Sequence, residues 1–534
     1  MKPLIQEVVT AQTPESLVER LGGERGVMLL RSAGFDSPQA RYSFVAARPF
    51  LTFRSFGSRC EITPHVSHCP PQIQFGNPWH VLDALMSRCE LLEEIDLPFP
   101  LGGCFGYWGY DLKNFVEPKL PRRAVNDLEL PDCHVGFYDS LVAFDHRLGK
   151  TCVVSTGLGA DGSRSEDLAK GQLDFWRLRL GSSTEQTLTP ALPHLMGEGE
   201  SLDVPRECPA PVFAGPSFVK GEAGDGCSLS YPMGEGQGEG IVSSNLLRTE
   251  FLAGVARAQR YIQAGDIYQV NLSQRLAAVC PFSGWELFER LLAVSPAPFA
   301  AYFDCGEFLI ASSSPEQFLR LSGLQIITRP IKGTRPRSPD ATRDAQLAYE
   351  LQTSAKELAE LVMITDLLRN DLGKVCEFGS VHVPELARLE RFAQVQHLVS
   401  TVEGRLRADV THFAALASCF PGGSITGAPK FRAMEIIDEL EPLARGPYTG
   451  CHGYLGFNRE SQFSISIRTA IHQAGMAYFH VGAGIVADSV PEAEFEETVD
   501  KARGFFAALQ MRPAGGQRPN LKRQKVNESK VPTS

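Results

Sequence analysis

No run of about 18 apolar residues occurs in this 534-residue chain, so nothing in it reads as a membrane-spanning helix. Positive charge is not in excess. The 52 Lys and Arg face 62 Asp and Glu, a net charge of −10, which excludes the global basic field that gathers nucleic acid. The 13 cysteines are scattered without a CxxC pair or regular spacing. That excludes a zinc framework and predicts reduced thiols. The segment from Met1 to Glu19 has no apolar core followed by a small-residue cleavage site. A cytoplasmic protein with no nucleic-acid or membrane partner is the expectation.

What is there is a large apolar fraction, 43% of residues, enough for one large core or several ordinary ones. Residues 1–184 mix short strand patterns, such as Cys133–Tyr138 and Leu141–Phe144, with a helical pattern over Val81–Met86. From 185 to 245 the character changes. Between Pro190 and Gly240 there are ten glycines and seven prolines, and two copies of a short repeat start at Leu192 and Leu229. Two copies make no solenoid, and the composition predicts a disordered insertion. Residues 246–510 read as a compact region. An amphipathic helix over Glu250–Ala264 is followed by an alternating strand, Ile267–Ser273, and a long helix is predicted over Ser354–Leu372. The tail, 511–534, is polar, basic and predicted to be disordered.

Lys332 stands out. It lies in Thr328-Arg-Pro-Ile-Lys-Gly-Thr-Arg-Pro-Arg337, with Arg329, Arg335 and Arg337 around it. Nearby positive charge and desolvation both favour a neutral amine. Lys332 is therefore a candidate nucleophile, and the arginines would gather an anionic substrate. A basic surface loop explains the same residues.

Glu357 and Glu360 share one face of the predicted helix, and Glu494 and Glu497 repeat the spacing, with Lys501 one turn further on. Two such pairs meeting across a cleft would supply the hard oxygen ligands that Mg²⁺ prefers. Each pair alone is as well explained by a solvated helix face. Phe420 to Lys430 is glycine-rich and runs into a helical pattern, Phe431–Leu440, an arrangement suited to anion binding. It lacks the Walker spacing. Gly482-Ala483-Gly484 follows an apolar run and would let a ligand approach the backbone, without completing a dinucleotide fingerprint. Arg468 falls in a predicted strand, where it needs an anion, either a substrate carboxylate or a structural partner. Gly102-Gly-Cys-Phe-Gly106 mimics the elbow of glutamine amidotransferases, but Trp108 stands where glutamine is expected. Cys104 reads as a buried structural cysteine, so the chain does not generate ammonia itself.

These segments resemble a known family. Ile331–Arg337, Asp366–Gly373, Val395–Ser400, Gly423–Lys430, Ile467–Thr469 and Gly482–Ser489 run in the order found in the chorismate-utilising enzymes. That family includes anthranilate, isochorismate, salicylate and aminodeoxychorismate synthases. Arg41–Phe44 and Gly106–Asp111 resemble its N-terminal part. The resemblance implies an α+β fold with large antiparallel sheets packed face to face and helices outside. Lys332 matches the branch that makes 4-amino-4-deoxychorismate, where this lysine is taken to attack the ring; anthranilate synthases typically carry alanine there. Isochorismate and salicylate synthases place a water-activating lysine where this chain has Gln269.

The same resemblance implies roles for further residues. Glu316 would protonate the leaving hydroxyl, and His397 would lie near the ring. Gly333, Thr334, Thr426, Tyr448, Arg468, Lys501 and the Gly482-Ala483-Gly484 backbone would hold the substrate's carboxylates. Mg²⁺ would be bound among Glu357, Glu360, Glu494 and Glu497. Ammonia would come from a separate glutamine amidotransferase subunit. Ser32, Ser43, Pro296, Ala297 and Pro298 sit where relatives hold tryptophan, though Arg31 departs from the usual glutamate. An anthranilate synthase component, or a catalytically silent tryptophan-binding subunit, are the competing readings.

Overall fold

The computed structural model describes residues 2–32, 40–65, 69–91, 97–181, 228–231, 240–392 and 395–509. The 511–534 tail and most of the 185–245 stretch lie outside them. Two antiparallel sheets, of 13 and 12 strands, carry the fold among these residues. The α+β architecture expected from the resemblance is the one observed.

Alternation along the strands sets the layers. In the first sheet Met28, Phe44, Ala46 and Ala143 point inward to the second sheet, where they meet Phe105, Tyr454 and their neighbours. Phe44 packs edge-on against Tyr454 at 5.4 Å across that interface. Leu29, Val45 and Val142, one residue out of step, point to the opposite face. There they are covered by helices, including Pro14–Arg20, Glu166–Leu180, Arg248–Gln263 and Lys430–Leu440. Helix Arg248–Gln263 shows why: Phe251, Val255 and Ala258, at spacings of four and three, form its buried stripe. Helices Pro78–Ser87 and His412–Cys419 lie over the second sheet and bring Trp79 and Phe413 into contact at 5.6 Å.

The N-terminal residues form no separate sheet. Strand Met28–Arg31 pairs with Phe299–Asp304, and Gly103–Trp108 pairs with Cys451–Gly456. Both sheets are therefore shared by the two halves of the chain. Within the Gly/Pro-rich stretch, Ser228–Tyr231 and Gly240–Ser244 form an edge hairpin on strand Gln269–Val279. Among the described residues no helix is long and apolar enough to cross a membrane.

One corner positions the chemistry. The chain leaves the first sheet after Leu309–Ser314 and enters the second at Gln317–Ser322. It makes the reverse passage beside it, from Glu460–Ile465 to Thr469–Gln473. The crossings are tied together: Ile465 N–H donates to Glu316 O at 3.1 Å, and Ser313 N–H donates to Arg468 O at 3.0 Å.

Candidate active site

Glu316 and Arg468 occupy that corner. Arg468 is not within a strand, as its neighbours' alternation predicts. It adopts φ 52° between two strands of different sheets, a left-handed turn that alternation does not reveal. Its Nη1 donates to Lys501 O at 2.8 Å, and among the described residues it forms no ion pair. Burial, opposed by Tyr448 and Glu497, lowers its pKa from the ordinary value. A desolvated arginine without a carboxylate partner is suited to an incoming anion.

Glu316 is buried and accepts a hydrogen bond from Ser424 Oγ at 2.6 Å. Burial raises its pKa, against the Ser424 hydrogen bond and the charge of Lys332. The carboxyl therefore keeps its proton to higher pH than a free glutamate, as a general acid requires.

Lys332 lies on strand Ile331–Pro336, next to Val395–Arg405, with Lys332 opposite Leu398 and Thr334 opposite His397. The register shifts between Lys332 and Thr334, and Gly333 takes φ 73°. A Cβ there would come within 2.7 Å of Leu351 and 3.0 Å of the Glu357 carboxylate, so only glycine lets helix Ala355–Gly373 approach this closely. Thr334 Oγ1 lies 2.8 Å from His397 Nδ1. Burial lowers the pKa of His397 below the usual histidine range.

The arginines do not form the free positive cluster expected from the sequence. Arg329 is paired with Glu390. Arg335 Nη1 lies 3.3 Å from Glu357, and Arg337 Nε lies 2.9 Å from Asp344. Their carboxylate partners neutralise them. Lys332 Nζ, by contrast, has no hydrogen bond or ion pair among the described residues. The charges it acts on are Glu316, Glu360 and Lys501.

The four glutamates lie on helices Ala355–Gly373 and Pro491–Lys501. Glu494 accepts from Ser489 Oγ at 2.6 Å, and Glu497 pairs with Lys501 at 2.7 Å. Glu360 has no hydrogen-bond or ion-pair partner among the described residues. Burial raises its pKa, and Glu357 and Glu497 add repulsion. Burial likewise raises that of Glu494, with Glu497 adding to it. As they stand, no three His, Cys, Asp or Glu among the described residues form a metal-holding group. The donor set still fits a hard divalent cation, because repelling carboxylates from two helices are what such a cation relieves.

Gly482 faces Ser273 and Gly484 faces Asn271 across the ladder, in a way the sequence does not disclose. A Cβ on Gly482 would meet Tyr448 Oη and Asn271 Oδ1 at 2.7 Å, and one on Gly484 would meet Gln269 Nε2 at 2.5 Å. These glycines make room for Tyr448 and Gln269 of the chain itself. The Gly482 carbonyl accepts from Lys501 Nζ at 2.7 Å, while Ala483 points into the helix-covered core. Burial lowers the pKa of Lys501, opposed by Glu497 and reinforced by Arg468 and Lys332. Tyr448 stacks on His480, with ring centroids 5.1 Å apart. Thr426 is buried and donates to Gly422 O at 2.7 Å, so its hydroxyl holds the glycine loop. Cys104 is buried, and burial pushes its thiol well above the usual range.

Ser32, Ser43 and Pro298 converge elsewhere, at the end of strand Met28–Arg31. Ser32 Oγ donates to Pro298 O at 2.9 Å, and Ser32 N–H donates to Ser43 Oγ at 3.0 Å. Ala297 is buried, whereas Pro296 is exposed. Arg31 is paired with Glu15. The space beside them, bounded by Phe44 and Tyr454, is about 30 Å³, room for a water or two.

The profile of the chorismate binding enzyme family matches residues 228–507. The chain belongs to that family. Over 510 residues this chorismate-binding enzyme is 36% identical to anthranilate synthase component 1 of Acetivibrio thermocellus, covering 95% of each chain. It is 34% identical to aminodeoxychorismate synthase component 1 of Escherichia coli over 516 residues, 96% of this chain and 100% of the relative. The crystal structure of anthranilate synthase component I from Streptococcus pneumoniae superposes with a TM-score of 0.68 at 28% identity, covering 88% of this chain and 93% of that one. Ser424, Asn271 and His480 are site residues that sequence reasoning did not single out. Ser424 lies inside the glycine-rich segment Gly423–Lys430, but nothing in its spacing announces a partnership with Glu316.

Proposed function

We propose that this enzyme converts chorismate and ammonia into 4-amino-4-deoxychorismate. The observation that carries the proposal is the Nζ of Lys332, without a partner among the described residues, beside the carboxyls of Glu316 and Glu360. Gln269, in place of a water-activating lysine, supports a reaction whose nucleophile needs no deprotonation. Ammonia is such a nucleophile.

In this reading Arg468, with Tyr448 beside it, binds a substrate carboxylate. Glu316 gives its proton to the leaving 4-hydroxyl. Lys332 Nζ forms a bond to C2, the ring double bonds shift, and the C4–O bond breaks to release water. Ammonia then forms a bond at C4, the C2–N bond to Lys332 breaks as the double bonds shift back, and the ammonium formed at C4 returns a proton to the Glu316 carboxylate. The lysine returns as it began. Glu357, Glu360, Glu494 and Glu497 would hold Mg²⁺. When bound, that cation supplies charge neutralisation for the ring carboxylate. The ammonia is supplied by a glutamine amidotransferase subunit.

A second reading is an anthranilate synthase component, favoured by the equal closeness of such relatives. Incubation with chorismate, Mg²⁺ and ammonium separates them by product mass and ultraviolet spectrum. The proposed reaction gives a 4-amino product that keeps the enolpyruvyl group. A 2-amino product with pyruvate release replaces it with the second reading. No consumption of chorismate would leave the silent, regulatory reading standing.

A further inference from the structure

A space between the sheets lies away from this site. It measures about 230 Å³ and lies between Met28 and Phe303 of the first sheet and Phe105 and His134 of the second. Register explains why it is open. Thr52, Gly136 and Phe105 lie side by side on the inner face of the second sheet, as do Arg54, His134 and Tyr107. Elsewhere on this interface large apolar side chains interlock. Here the inner face carries glycine, threonine, histidine and arginine. The gap thus follows from residue choice, where close packing is the rule for protein interiors.

Two polar groups at this space lack partners among the described residues. His134 Nδ1 is buried without a hydrogen bond among the described residues. The guanidinium of Arg25, exposed at the rim, has no hydrogen bond or ion pair among the described residues. Arg54 is held by Glu61 at 2.9 Å, and Asp304 accepts from Gly306 N–H at 2.9 Å. Burial lowers the pKa of His134 to about 3 and of His65 to about 4. The imidazoles are thus neutral at physiological pH, and the open positive charge is that of Arg25.

We propose that this space is a second small-molecule site, which takes a flat cyclic monocarboxylate. Its ring lies between Phe105 and Phe303, its carboxylate faces Arg25, and a polar ring substituent meets His134 Nδ1. A neutral imidazole nitrogen donates or accepts according to tautomer, so a hydroxyl or amine serves. An orphaned buried nitrogen costs free energy that such a ligand would recover.

The test is calorimetric titration of the full chain with 4-hydroxybenzoate and, as a neutral control, 4-methylphenol. Anions also reach Arg468, so Arg468→Ala is titrated in parallel. The expected result is carboxylate binding that survives Arg468→Ala and weakens at least tenfold in Arg25→Ala. Arg25 is exposed and unpartnered, so that variant folds. A crystal soaked with 4-bromobenzoate then shows bromine between the two sheets. No heat at millimolar ligand, equal affinity in Arg25→Ala, equal binding of 4-methylphenol, or bromine absent from between the sheets would overturn the proposal.

Discussion

Ser424 Oγ donates to the buried carboxyl of Glu316 at 2.6 Å. This bond lowers a pKa that burial raises, so it tunes how far above the ordinary range the acid sits. Removing it with Ser424→Ala is expected to raise the Glu316 pKa further. The basic limb of the kcat/KM profile should then move to higher pH, because the protonated acid persists longer. A profile that moves to lower pH, or not at all, would remove Glu316 from the general-acid role.

Glu316→Gln tests the same residue through stability as well as rate. The folded-state pKa is raised, so the unfolded chain ionises first as pH rises. Glu316 therefore costs stability once the pH exceeds its unfolded pKa, and the cost levels off above the folded one. Loss of a general acid typically lowers the rate by about 10²–10⁴. The expected outcome is that loss in kcat, with a Tm at pH 8 equal to or above that of the parent. A fall in Tm would show that the carboxylate is structural.

Lys332→Ala should separate nucleophile from scaffold. The side chain has no partner among the described residues, so its removal should leave Tm within about a degree, as surface truncations usually do. Activity should fall by roughly 10⁴ or more if the amine forms the covalent bond, the scale seen when a nucleophile is deleted. Quenched reactions of the parent, examined by intact mass, should show a chorismate adduct less one water, absent from Lys332→Ala. Full-rate turnover by the variant would rule the covalent step out.

The carboxylate set predicts a metal-dependent change of sign. Burial and neighbouring carboxylates raise the pKa of Glu360. Without metal, Glu360→Gln should raise Tm above the ordinary carboxylate range, since the unfolded chain no longer gains by ionising alone. With Mg²⁺ in excess, the parent should gain Tm by mass action and the variant should gain less. Equal gains in both proteins would exclude Glu360 from the cation site.

Much of this site was legible because its residues sit in local patterns. Cys133–Tyr138 reads as a strand from six residues and forms one with those bounds. Glu357 and Glu360 share a face because a helix repeats every 3.6 residues. What could not be read depends on distant segments. The arginines around Lys332 look free until Glu390, Glu357 and Asp344 arrive from other elements. Gly482 looks open until Tyr448 and Asn271 fill the space above it. Arg468 looks like a strand residue because hydrophobic alternation carries no mark of the point where a chain changes sheets.

A last prediction concerns the ion pair that holds several of these parts. Arg445 is fully buried and meets both oxygens of Glu441 at 2.7 Å. It also donates to Asn271 O at 2.8 Å and Thr449 Oγ1 at 3.1 Å, while Glu441 accepts from Ser273 N–H at 2.8 Å. The pair thus ties strand Gln269–Val279 to the turn that carries Tyr448. Removing one partner leaves a buried charge alone, a loss of about 3–5 kcal/mol. Arg445→Met should therefore destabilise strongly, and so should Glu441→Leu. The double variant removes both charges and should recover a large part of either loss, though Ser273 N–H and Asn271 O then lack partners. Denaturant titration of the four proteins measures the coupling. Additive losses would mean that the two side chains act independently and that the pair does not tie the strand to the turn.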